Sequence, residues 1–402
     1  MMAIFRPGRA RGTVAAPPSK SMAHRYLICA GLSAGSTVHG VAFSEDIRAT
    51  LDGLTALGAA YTADGATVRI GGADPLARPQ APLRCRESGS TLRFLLPLCL
   101  LSGEDVKLSG SERLFQRSLA VYRELCAAQG LRFDESPCAV TVRGPLRPGR
   151  YPVRGDVSSQ FISGLLLALP LLEGDSELHI TGALESASYL RMTVQAMRDF
   201  GVEPERPEER VFRIRGGQRY APREVAVEGD YSNAVFLEAL NRWGGDVTVT
   251  GLPEVTGQGD AVYRELLARL REGEADINLS DCPDLGPVLM AVAAIGQGAR
   301  FTGTRRLKIK ESDRGRAMAE ELRKCGIRTE LGENEITVYG GTLCAPTAPL
   351  CGHNDHRIVM ALSVLCTALG GRIEGAEAVA KSFPDFFEVL QSLGVDVKVE
   401  SA

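Results

Sequence analysis

The sequence predicts an α/β protein built from six repeats of a βαβ-like unit. One observation is that V-R-G-D-V-S-S at Val153–Ser159 reads almost as V-E-G-D-Y-S-N at Val227–Asn233. A second is that A-V-Y-R-E-L occurs twice, at Ala120–Leu125 and at Ala261–Leu266. A third is a recurring order of polar turn, apolar helix and glycine-bounded strand. Self-similarity of this kind is the signature of an internally duplicated architecture.

Each unit opens with a polar turn that contains Ser or Asp. The six turns centre on Ser19, Ser88, Ser158, Ser232, Asp284 and Asp355. Such side chains accept hydrogen bonds from the unpaired N–H groups at a helix start, so each turn predicts a capped helix. A helix N-terminus carries a partial positive charge and attracts anions. If the six helix starts face one cleft, we expect a small anionic substrate there.

The rest of each unit follows the same order. An apolar stretch of helical length comes first, as in Leu92–Leu101 and Ile358–Leu369. Period-2 segments bounded by glycine, such as G-D-S-E-L-H-I-T-G, then predict strands. Apolar residues at helical spacing next predict amphipathic helices, as in Met192–Phe200 and Phe386–Leu393. Glycines that end these helices suit a left-handed C′ position. They are Gly58, Gly130, Gly201, Gly326 and Gly394.

Six units require two packing groups. The charged stretch Pro204–Arg223 is broken by proline and glycine, and Pro17-Pro18 fixes an extended chain that could act as a hinge. We expect residues 19–227 to form one domain. Residues 1–18 and 228–402 then form the second, although the joining of 1–18 rests on the resemblance described below.

Composition excludes several classes of protein. The 402 residues carry a net charge of −3 with a pI of about 6.1, so no basic field points to nucleic acid. The apolar runs Phe94–Leu101 and Leu165–Leu172 are too short to span a bilayer. No secretory signal is apparent. The ten cysteines form no C-x-x-C pair, which disfavours a zinc ribbon and fits a reducing compartment. We expect a cytoplasmic monomer without membrane or nucleic-acid partners.

Basic residues recur beside the polar turns. They are Lys20, Arg25, Arg93, Arg113, Lys310, Arg314, Arg357 and Lys381. A single exposed Arg or Lys is usually a solvated surface cation. Recurrence at equivalent places in successive repeats favours a shared anion site instead.

Six motifs, in order along the chain, carry a resemblance to a known family. They are A-P-P-S-K-S-M-A-H-R (Ala16–Arg25), E-S-G-S-T-L-R-F (Glu87–Phe94), V-S-S-Q-F (Val157–Phe161), K-E-S-D-R (Lys310–Arg314), N-D-H-R (Asn354–Arg357) and K-S-F-P-D-F (Lys381–Phe386). They resemble the enolpyruvyl transferases, and within that family the members that act on shikimate 3-phosphate. The resemblance runs from about residue 4 to residue 398. It implies a two-domain, inside-out α/β barrel of six βαβαββ repeats, three per domain, with the active site in the interdomain cleft.

The resemblance also implies a reaction. The family transfers the carboxyvinyl group of phosphoenolpyruvate to a hydroxyl of its second substrate by addition and elimination, and phosphate leaves. The partners are then two small molecules, phosphoenolpyruvate and shikimate 3-phosphate, and no cofactor or metal is implied. The family is a target of glyphosate, and Gly89 leaves room at phosphoenolpyruvate, so we expect competitive inhibition by glyphosate.

Residue roles follow from these motifs and from three shorter strings of the same resemblance, S-G-S-E-R with Arg113, E-S-A-S-Y with Ser186 and C-P-D-L with Asp284. The implied catalytic residues are Lys20, Asp284 and Glu311. The implied phosphoenolpyruvate ligands are Lys20, Gly89, Arg113, Gln160, Arg314, Arg357 and Lys381. The implied shikimate 3-phosphate ligands are Lys20, Ser21, Arg25, Ser158, Ser159, Gln160, Ser186, Asp284 and Lys310. Asp284 is the favoured base for the 5-hydroxyl and Glu311 the proposed acid at the vinyl carbon, but which group carries which proton stays open.

Some residues depart from the family pattern or invite another interpretation. Glu87 stands where many relatives carry asparagine, and we expect it to face a cation or cap a helix. Arg306 stands where relatives often place an asparagine that contacts substrate. His353 and His356 have a spacing that a metal could use, but without a third soft ligand we favour a hydrogen-bonded turn.

Three alternatives compete with this interpretation. UDP-N-acetylglucosamine enolpyruvyl transferases usually carry a cysteine on the loop that corresponds to Ser109–Leu119, which has none here. RNA 3′-phosphate cyclases share none of the motifs. A non-catalytic anion-binding module would gain nothing from Asp284 and Glu311 among its cations.

Overall fold

The computed structural model describes residues 1–273 and 275–401, and within them the chain has thirteen α-helices and 22 β-strands. The helices are α1 (Lys20–Gly31), α2 (Glu45–Ala56), α3 (Gly89–Cys99), α4 (Glu112–Gln116), α5 (Ala120–Gln129), α6 (Ser159–Ala168), α7 (Ala187–Asp199), α8 (Tyr231–Ala239), α9 (Tyr263–Glu272), α10 (Gly286–Ile295), α11 (Arg314–Lys324), α12 (His356–Leu369) and α13 (Phe386–Ser392). The strands are β1 (Met2–Phe5), β2 (Arg11–Ala15), β3 (Ser36–His39), β4 (Ala60–Asp64), β5 (Thr67–Gly71), β6 (Leu83–Arg84), β7 (Val106–Ser109), β8 (Arg132–Ser136), β9 (Ala139–Arg143), β10 (Arg150–Arg154), β11 (Ser176–Thr181), β12 (Glu205–Glu208), β13 (Val211–Ile214), β14 (Glu224–Ala226), β15 (Asp246–Thr250), β16 (Ala275–Asn278), β17 (Gly298–Thr302), β18 (Thr329–Leu331), β19 (Glu335–Tyr339), β20 (Leu350–Cys351), β21 (Gly371–Glu374) and β22 (Val397–Glu400).

The strands of the described residues form five four-stranded sheets and one two-stranded sheet. In the sheet β10–β11–β13–β12, β10 runs parallel to β11, and the hairpin of β12 and β13 adds antiparallel strands. The chain supplies these elements in the order strand, helix, strand, helix, hairpin. The other four-stranded sheets have the same pattern of one parallel and two antiparallel pairs, which confirms the predicted α/β repeat. In two of these sheets one strand, β14 or β1, comes from a distant part of the chain.

One unit differs from the others. Its sheet pairs only β2 with β15, in parallel, and among the described residues no hairpin follows α9. The polar turns at Ser232 and Asp284 are 52 residues apart, whereas the other turns are about 70 apart. The short spacing therefore marks a unit that lacks the two closing strands.

Helices form the core and sheets cover it. Every residue of α6 except Gln160 is buried, as is every residue of α10 except Ile295. A helix that is apolar on all sides has to be enclosed by other elements, and α6 packs against both α3 and α7. Each buried leucine adds about 1.5–3 kcal/mol relative to exposure. This is the inside-out arrangement that the resemblance implies.

The chain divides into two compact units. The middle unit is Lys20–Glu228, and the N/C unit joins Met1–Ser19 to the chain from Gly229 onward. Strand β1 pairs with β21 and β22, and β2 pairs with β15. The N-terminal strands thus close sheets made mostly of C-terminal strands.

Four cysteines, Cys29, Cys99, Cys126 and Cys366, are buried in the hydrophobic cores of the two units. Among the described residues, no helix combines the length and apolarity that crossing a bilayer requires.

Candidate active site

Two helix starts of the middle unit, those of α3 and α6, are capped as the polar turns predict. In the N/C unit the prediction is wrong at two turns, because Asp230 rather than Ser232 caps α8 and the Asp284 side chain does not cap α10. Ser88 Oγ accepts a hydrogen bond from the N–H of Thr91 at 3.1 Å, and Ser158 Oγ accepts one from the N–H of Gln160 at 3.3 Å. The N-cap residue of α3 is Ser88 rather than Glu87. The other N–H groups of a capped first turn are donors that can bind an anion.

A bridge of side chains joins the starts of α3 and α6. Gln160 Nε2 donates to Ser90 Oγ at 3.0 Å, and Arg93 Nη1 donates to Gln160 Oε1 at 3.2 Å. A Cβ added at Gly89 would lie only 2.7 Å from Arg117 Nη1 and 2.8 Å from Arg93 Nη1. Glycine therefore allows two guanidinium groups to approach the positive end of α3, which makes this point attractive to phosphate.

Lys20 begins α1 and has a specific partner. Its Nζ donates to Asp46 Oδ2 at 2.8 Å, and both side chains are mostly buried. Asp46 lies in the first turn of α2, which Ser44 caps. The ion pair holds the ammonium group beside the neighbouring helix starts, since Thr91 Oγ1 donates to the backbone oxygen of Asp46.

Arg25 is deeply buried and makes three bonds within the middle unit. Its Nε donates to Thr193 Oγ1 at 2.8 Å, its Nη1 to the carbonyl of Ser21 and its Nη2 to the carbonyl of Tyr189. Burial lowers the pKa of its guanidinium to about 10. Arg25 thus joins α1 to α7, and a ligand would meet only its remaining N–H groups.

Three other predicted residues lie at helix starts or on a short helix. Ser159 is buried at the first position of α6. Ser186 is buried just before α7 with a φ of 56°, a left-handed conformation that is uncommon outside glycine and often found at functional sites. Arg113 lies on α4 with an exposed side chain, and its Nη1 donates to Gln116.

A cluster of alternating charges forms in the N/C unit around Arg314, at the start of α11. Arg314 Nη1 donates to Asp284 Oδ1 at 2.8 Å, and its Nη2 donates to Glu311 Oε2 at 2.8 Å. Lys310 Nζ lies 3.0 Å from the same Asp284 oxygen. The guanidinium is almost wholly buried, and the cluster brings together four of the predicted site residues.

Asp355 completes the partners of Arg314. It accepts from Arg314 Nε at 2.8 Å and from Ser312 Oγ at 3.0 Å, and it caps α12 by accepting the N–H of Arg357. One carboxylate therefore fixes both the buried guanidinium and the helix that carries the next arginine.

Arg357 approaches the cluster from the first turn of α12. Its Nη1 donates to the carbonyl of Ser232, and its Nη2 lies 3.5 Å from Asp284 Oδ2. The guanidinium carbon lies 5.8 Å from the ring centre of Phe236. The buried Nε finds no hydrogen-bond partner among the described residues. An arginine with an unused buried donor is suited to an anionic ligand.

The electrostatics of the cluster follow from this geometry. Burial alone would raise the pKa of the Asp284 carboxyl, but neighbouring cations outweigh burial and hold the pKa well below its usual value. These cations are, in order of effect, Lys310, Arg357 and Arg314. Burial lowers the pKa of the Lys310 ammonium, and Asp284 only partly offsets this. The pKa of Arg314 is raised, because its carboxylate partners outweigh burial.

The last polar turn places His353 against a carboxylate of α11. His353 Nε2 lies 3.0 Å from Glu321 Oε1, and Lys324 Nζ lies 2.7 Å from Glu321 Oε2. The ligand atoms of Glu320, Glu321 and His353 lie close enough together to hold a metal ion. His356 is buried at the start of α12.

Lys381, a predicted ligand, and Arg306, which departs from the family pattern, lie near the N/C cluster. Lys381 Nζ donates to the backbone and side-chain oxygens of Asn354, at 2.6 and 2.8 Å. Arg306 is buried in the turn Arg305–Ile309, where its charge helps to lower the pKa of Lys310.

Sequence reasoning assigned no role in the site to four residues that the geometry makes prominent. Asp355 is predicted as the polar turn that caps α12, which the structure confirms, but its bonds to Arg314 and Ser312 are not predicted. Arg117, Asp46 and Asp260 carry no motif of their own. Only the fold brings them to Gly89, Lys20 and Ser232 respectively.

Sequence comparison identifies close relatives along the whole chain. The profile of the EPSP synthase (3-phosphoshikimate 1-carboxyvinyltransferase) family matches residues 5–390. The chain is 38% identical over 420 residues to the 3-phosphoshikimate 1-carboxyvinyltransferase of Clostridium kluyveri, covering 98% of this chain and 97% of that relative. It is 37% identical over 420 residues to that of Clostridioides difficile, covering 96% of each.

Solved structures show the same fold. An EPSP synthase from Acinetobacter baumannii superimposes with a TM-score of 0.80 at 22% identity, covering 100% of both chains. The enolpyruvyl transferase NikO from Streptomyces tendae superimposes with a TM-score of 0.78 at 17% identity, covering 100% of this chain and 99% of that one. Because two differently named transferases fit almost equally well, the fold does not choose between substrates, whereas the sequence relatives do.

Proposed function

The chain belongs to the EPSP synthase (3-phosphoshikimate 1-carboxyvinyltransferase) family, and we propose how its residues carry out the reaction of that family. The enzyme transfers the carboxyvinyl group of phosphoenolpyruvate to the 5-hydroxyl of shikimate 3-phosphate and releases phosphate, a step of the shikimate pathway. The observation that carries our assignment of roles is the cluster around Arg314, where carboxylates and cations alternate within hydrogen-bond distance.

The carboxylate of phosphoenolpyruvate is assigned to Arg357 and Arg314. The unused Nε–H of Arg357 supports this role, and a guanidinium binds a carboxylate in a planar, two-bond geometry. Arg314 has all three nitrogens bonded to protein carboxylates. With the second bond from Nη2 to Asp355, four of its five N–H groups are used, and we propose that the substrate carboxylate takes the place of Asp284 at Nη1.

This exchange prepares Asp284 for proton transfer. In the free enzyme the pKa of Asp284 is held far below neutral pH, so the carboxylate is a weak base. When the anionic substrates draw Lys310 and Arg357 towards themselves, Asp284 loses the charges that depress its pKa. Its proton affinity then rises at the moment when the 5-hydroxyl has to lose its proton.

Glu311 is assigned to the vinyl carbon. Protonation of C3 of phosphoenolpyruvate gives a cationic C2, the 5-hydroxyl oxygen bonds to C2, and a tetrahedral ketal phosphate forms. Cleavage of the C2–O bond to phosphate and loss of a proton from C3 restore the double bond. A carboxyl group can both give and take the C3 proton.

The phosphate of phosphoenolpyruvate is assigned to the start of α3 and to Lys20, with Arg113, Gln160 and Lys381 as further ligands. Gly89, two guanidinium groups and a helix N-terminus converge there. Preorganised donors of this kind stabilise the charge on a departing phosphate. Lys20, unlike arginine, can also shuttle a proton.

Shikimate 3-phosphate is assigned to the remaining polar groups of the middle unit and to two residues of the N/C unit. They are Ser21, Arg25, Ser158, Ser159, Ser186, Lys310 and Asp284.

We propose that the substrates join the two sets of residues in an interdomain cleft. We further propose a monomer, since one chain supplies every role. A cytoplasmic location is supported by ten free thiols, which suit a reducing compartment.

Isotope incorporation tests the proton assignments. In D₂O, addition and elimination place deuterium on the vinyl methylene of the product and of recovered phosphoenolpyruvate. We expect Glu311→Gln to abolish this incorporation together with turnover, while Lys107→Ala, a change at an exposed lysine on β7, leaves both intact. Normal deuterium incorporation by Glu311→Gln would remove Glu311 from the chemistry.

A further inference from the structure

A segment outside the assigned site is hydrogen-bonded to the turn that begins α8. Gln258 Nε2 donates to the carbonyl of Gly229 at 2.8 Å, and Gln258 Oε1 accepts the N–H of Tyr231 at 3.0 Å. Two residues further on, Asp260 Oδ2 accepts the hydroxyl of Ser232. We name Gln258–Asp260 the clamp. It holds both the backbone and the first-turn side chain of the helix start.

Arg357 also contacts the turn that the clamp holds. The carbonyl of Ser232 accepts Arg357 Nη1, and Phe236, one turn further along α8, lies beneath the guanidinium. A shift of the helix start would therefore move the acceptor that fixes one end of this guanidinium. The other described contact, to Asp284, is longer at 3.5 Å.

The clamp is not needed to cap the helix. Asp230 already accepts the N–H groups of Ser232 and Asn233, at 2.7 and 3.2 Å. Asp260 is nevertheless buried, with 2% of its surface exposed, and its Oδ1 has no hydrogen-bond partner among the described residues. Burying a carboxyl group with one oxygen unsatisfied is costly. Helix capping does not explain why the Asp260 carboxyl is buried at this cost. We therefore infer that function constrains the position.

We propose that the clamp is a positioning device for Arg357: Asp260 holds Ser232, and the Ser232 carbonyl holds the guanidinium ready for the carboxylate of phosphoenolpyruvate. The inference rests on the role proposed above for Arg357. Asp260 touches no substrate in this account, and it acts through Ser232.

Kinetics with each substrate test the clamp. We expect Asp260→Ala and Ser232→Ala to raise the KM for phosphoenolpyruvate by roughly 10-fold, the effect of one misplaced hydrogen bond to a charged group, and to leave the KM for shikimate 3-phosphate unchanged. Asp260→Asn should restore most of the affinity, because its amide oxygen can still accept the Ser232 hydroxyl. Ser363→Ala is the matched control, since the described hydrogen bonds of this buried serine on α12 are to Val359 and Thr367 of the same helix.

A double-mutant cycle separates positioning from general damage. In an Arg357→Lys background, Asp260→Ala should have little further effect on the KM for phosphoenolpyruvate. Additive effects, or equal losses for both substrates, would overturn the proposal. If Arg357→Lys itself leaves that KM unchanged, the carboxylate role of Arg357 fails, and this outcome is distinguishable from failure of the clamp.

A crystal structure of ligand-free Asp260→Ala gives a readout that does not depend on the role of Arg357. If the clamp positions Arg357, the distance from its guanidinium to the Ser232 carbonyl should be longer by about 1 Å or more in this variant. An unmoved Arg357 would overturn the proposal. If Asp260→Ala does not fold, Ser232→Ala provides the same structural comparison.

Discussion

At the scale of single residues, Arg314 shows how the protein keeps charges buried. An isolated buried charge is very costly, and removal of one partner of a buried ion pair usually costs about 3–5 kcal/mol. Arg314 avoids this cost by binding three carboxylates, of which Asp355 is fully buried and Glu311 is 19% exposed. The two carboxylates should therefore respond differently to removal.

Asp355→Ala should lower the free energy of unfolding by about 3–5 kcal/mol, because it leaves Arg314 short of its most buried partner. Glu311→Ala should change stability much less and yet abolish turnover. Urea unfolding and kcat measured on both variants check this contrast. Equal losses of stability, or full activity in Glu311→Ala, would contradict it.

The raised pKa of the buried Asp260 carboxyl predicts how the stability of the protein depends on pH. Burial, and then the nearby Asp284, raise the pKa of Asp260 to about 7, against the opposing effects of the hydrogen bond from Ser232 and the charge of Arg357. An aspartate in the unfolded chain titrates near about 4. Between these values the folded protein holds a proton that the unfolded chain has lost. The contribution of Asp260 to stability therefore falls as pH rises from about 4 to about 7, by at most about 1.4 kcal/mol per pH unit.

Asp260→Asn cannot ionise, so its free energy of unfolding relative to the wild type should increase from pH 5 to pH 7 and level off above about 7. Unfolding titrations at several pH values measure the difference, with Asp64→Asn as the control at an exposed position. A difference that stays flat across this range would show that Asp260 is not held protonated.

The sequence predicts the site residues that lie in motifs, but it does not predict which other side chains they contact. Lys20, Asp284 and Glu311 stand in recognisable strings. Asp46, by contrast, is 26 residues from Lys20, and nothing in its local sequence reveals the contact. Contacts between elements that are distant in the chain depend on packing, which a single sequence does not show.

At the scale of elements, the start of α3 combines a cap, a glycine and two guanidinium groups. Alanine is a better helix former than glycine, so Gly89→Ala should not weaken α3 itself. Its Cβ would, however, lie under 3 Å from both Arg93 and Arg117 and would displace them. The helix should persist while the anion site is distorted.

We expect Gly89→Ala to raise the KM for phosphoenolpyruvate by roughly 10-fold or more, since small misplacements of binding groups have large effects. Its melting temperature should stay close to that of the wild type. Gly103→Ala is the control, because a Cβ there meets no atom within 4 Å. An unchanged KM would show that the guanidinium groups do not serve phosphoenolpyruvate.

Helices and strands can be predicted from the sequence where their signals lie within a few neighbouring residues. Ser and Asp caps, glycines after helices and alternating strands each act over a few residues, and they identified the repeated unit. The missing hairpin was visible only as the short spacing before Asp284. The pairing of β1 with β21 and β22 joins opposite ends of the chain, so periodicity alone did not predict it.

At the scale of the whole molecule, the proposal requires both compact units to bind the same substrates. Each unit presents several cations, and shikimate 3-phosphate carries charges that can neutralise them. We therefore expect small-angle scattering to show a smaller radius of gyration when shikimate 3-phosphate is added. Shikimate without its phosphate should produce a weaker effect. The same curves give the molecular mass, which tests the proposed monomer.

The absence of compaction at saturating shikimate 3-phosphate would contradict an active site shared by the two units. A mass near twice 43.0 kDa would contradict the monomer. These outcomes are independent, because a dimer could still close around its ligands.

The most direct test of the central claim is the release of phosphate by the purified protein. Phosphoenolpyruvate and shikimate 3-phosphate are mixed with it in the presence of EDTA, and phosphate and the enol ether product are measured together. The account predicts equal amounts of both, none when either substrate is omitted, and none with UDP-N-acetylglucosamine as acceptor. No phosphate with both substrates present, or phosphate from phosphoenolpyruvate alone, would contradict it.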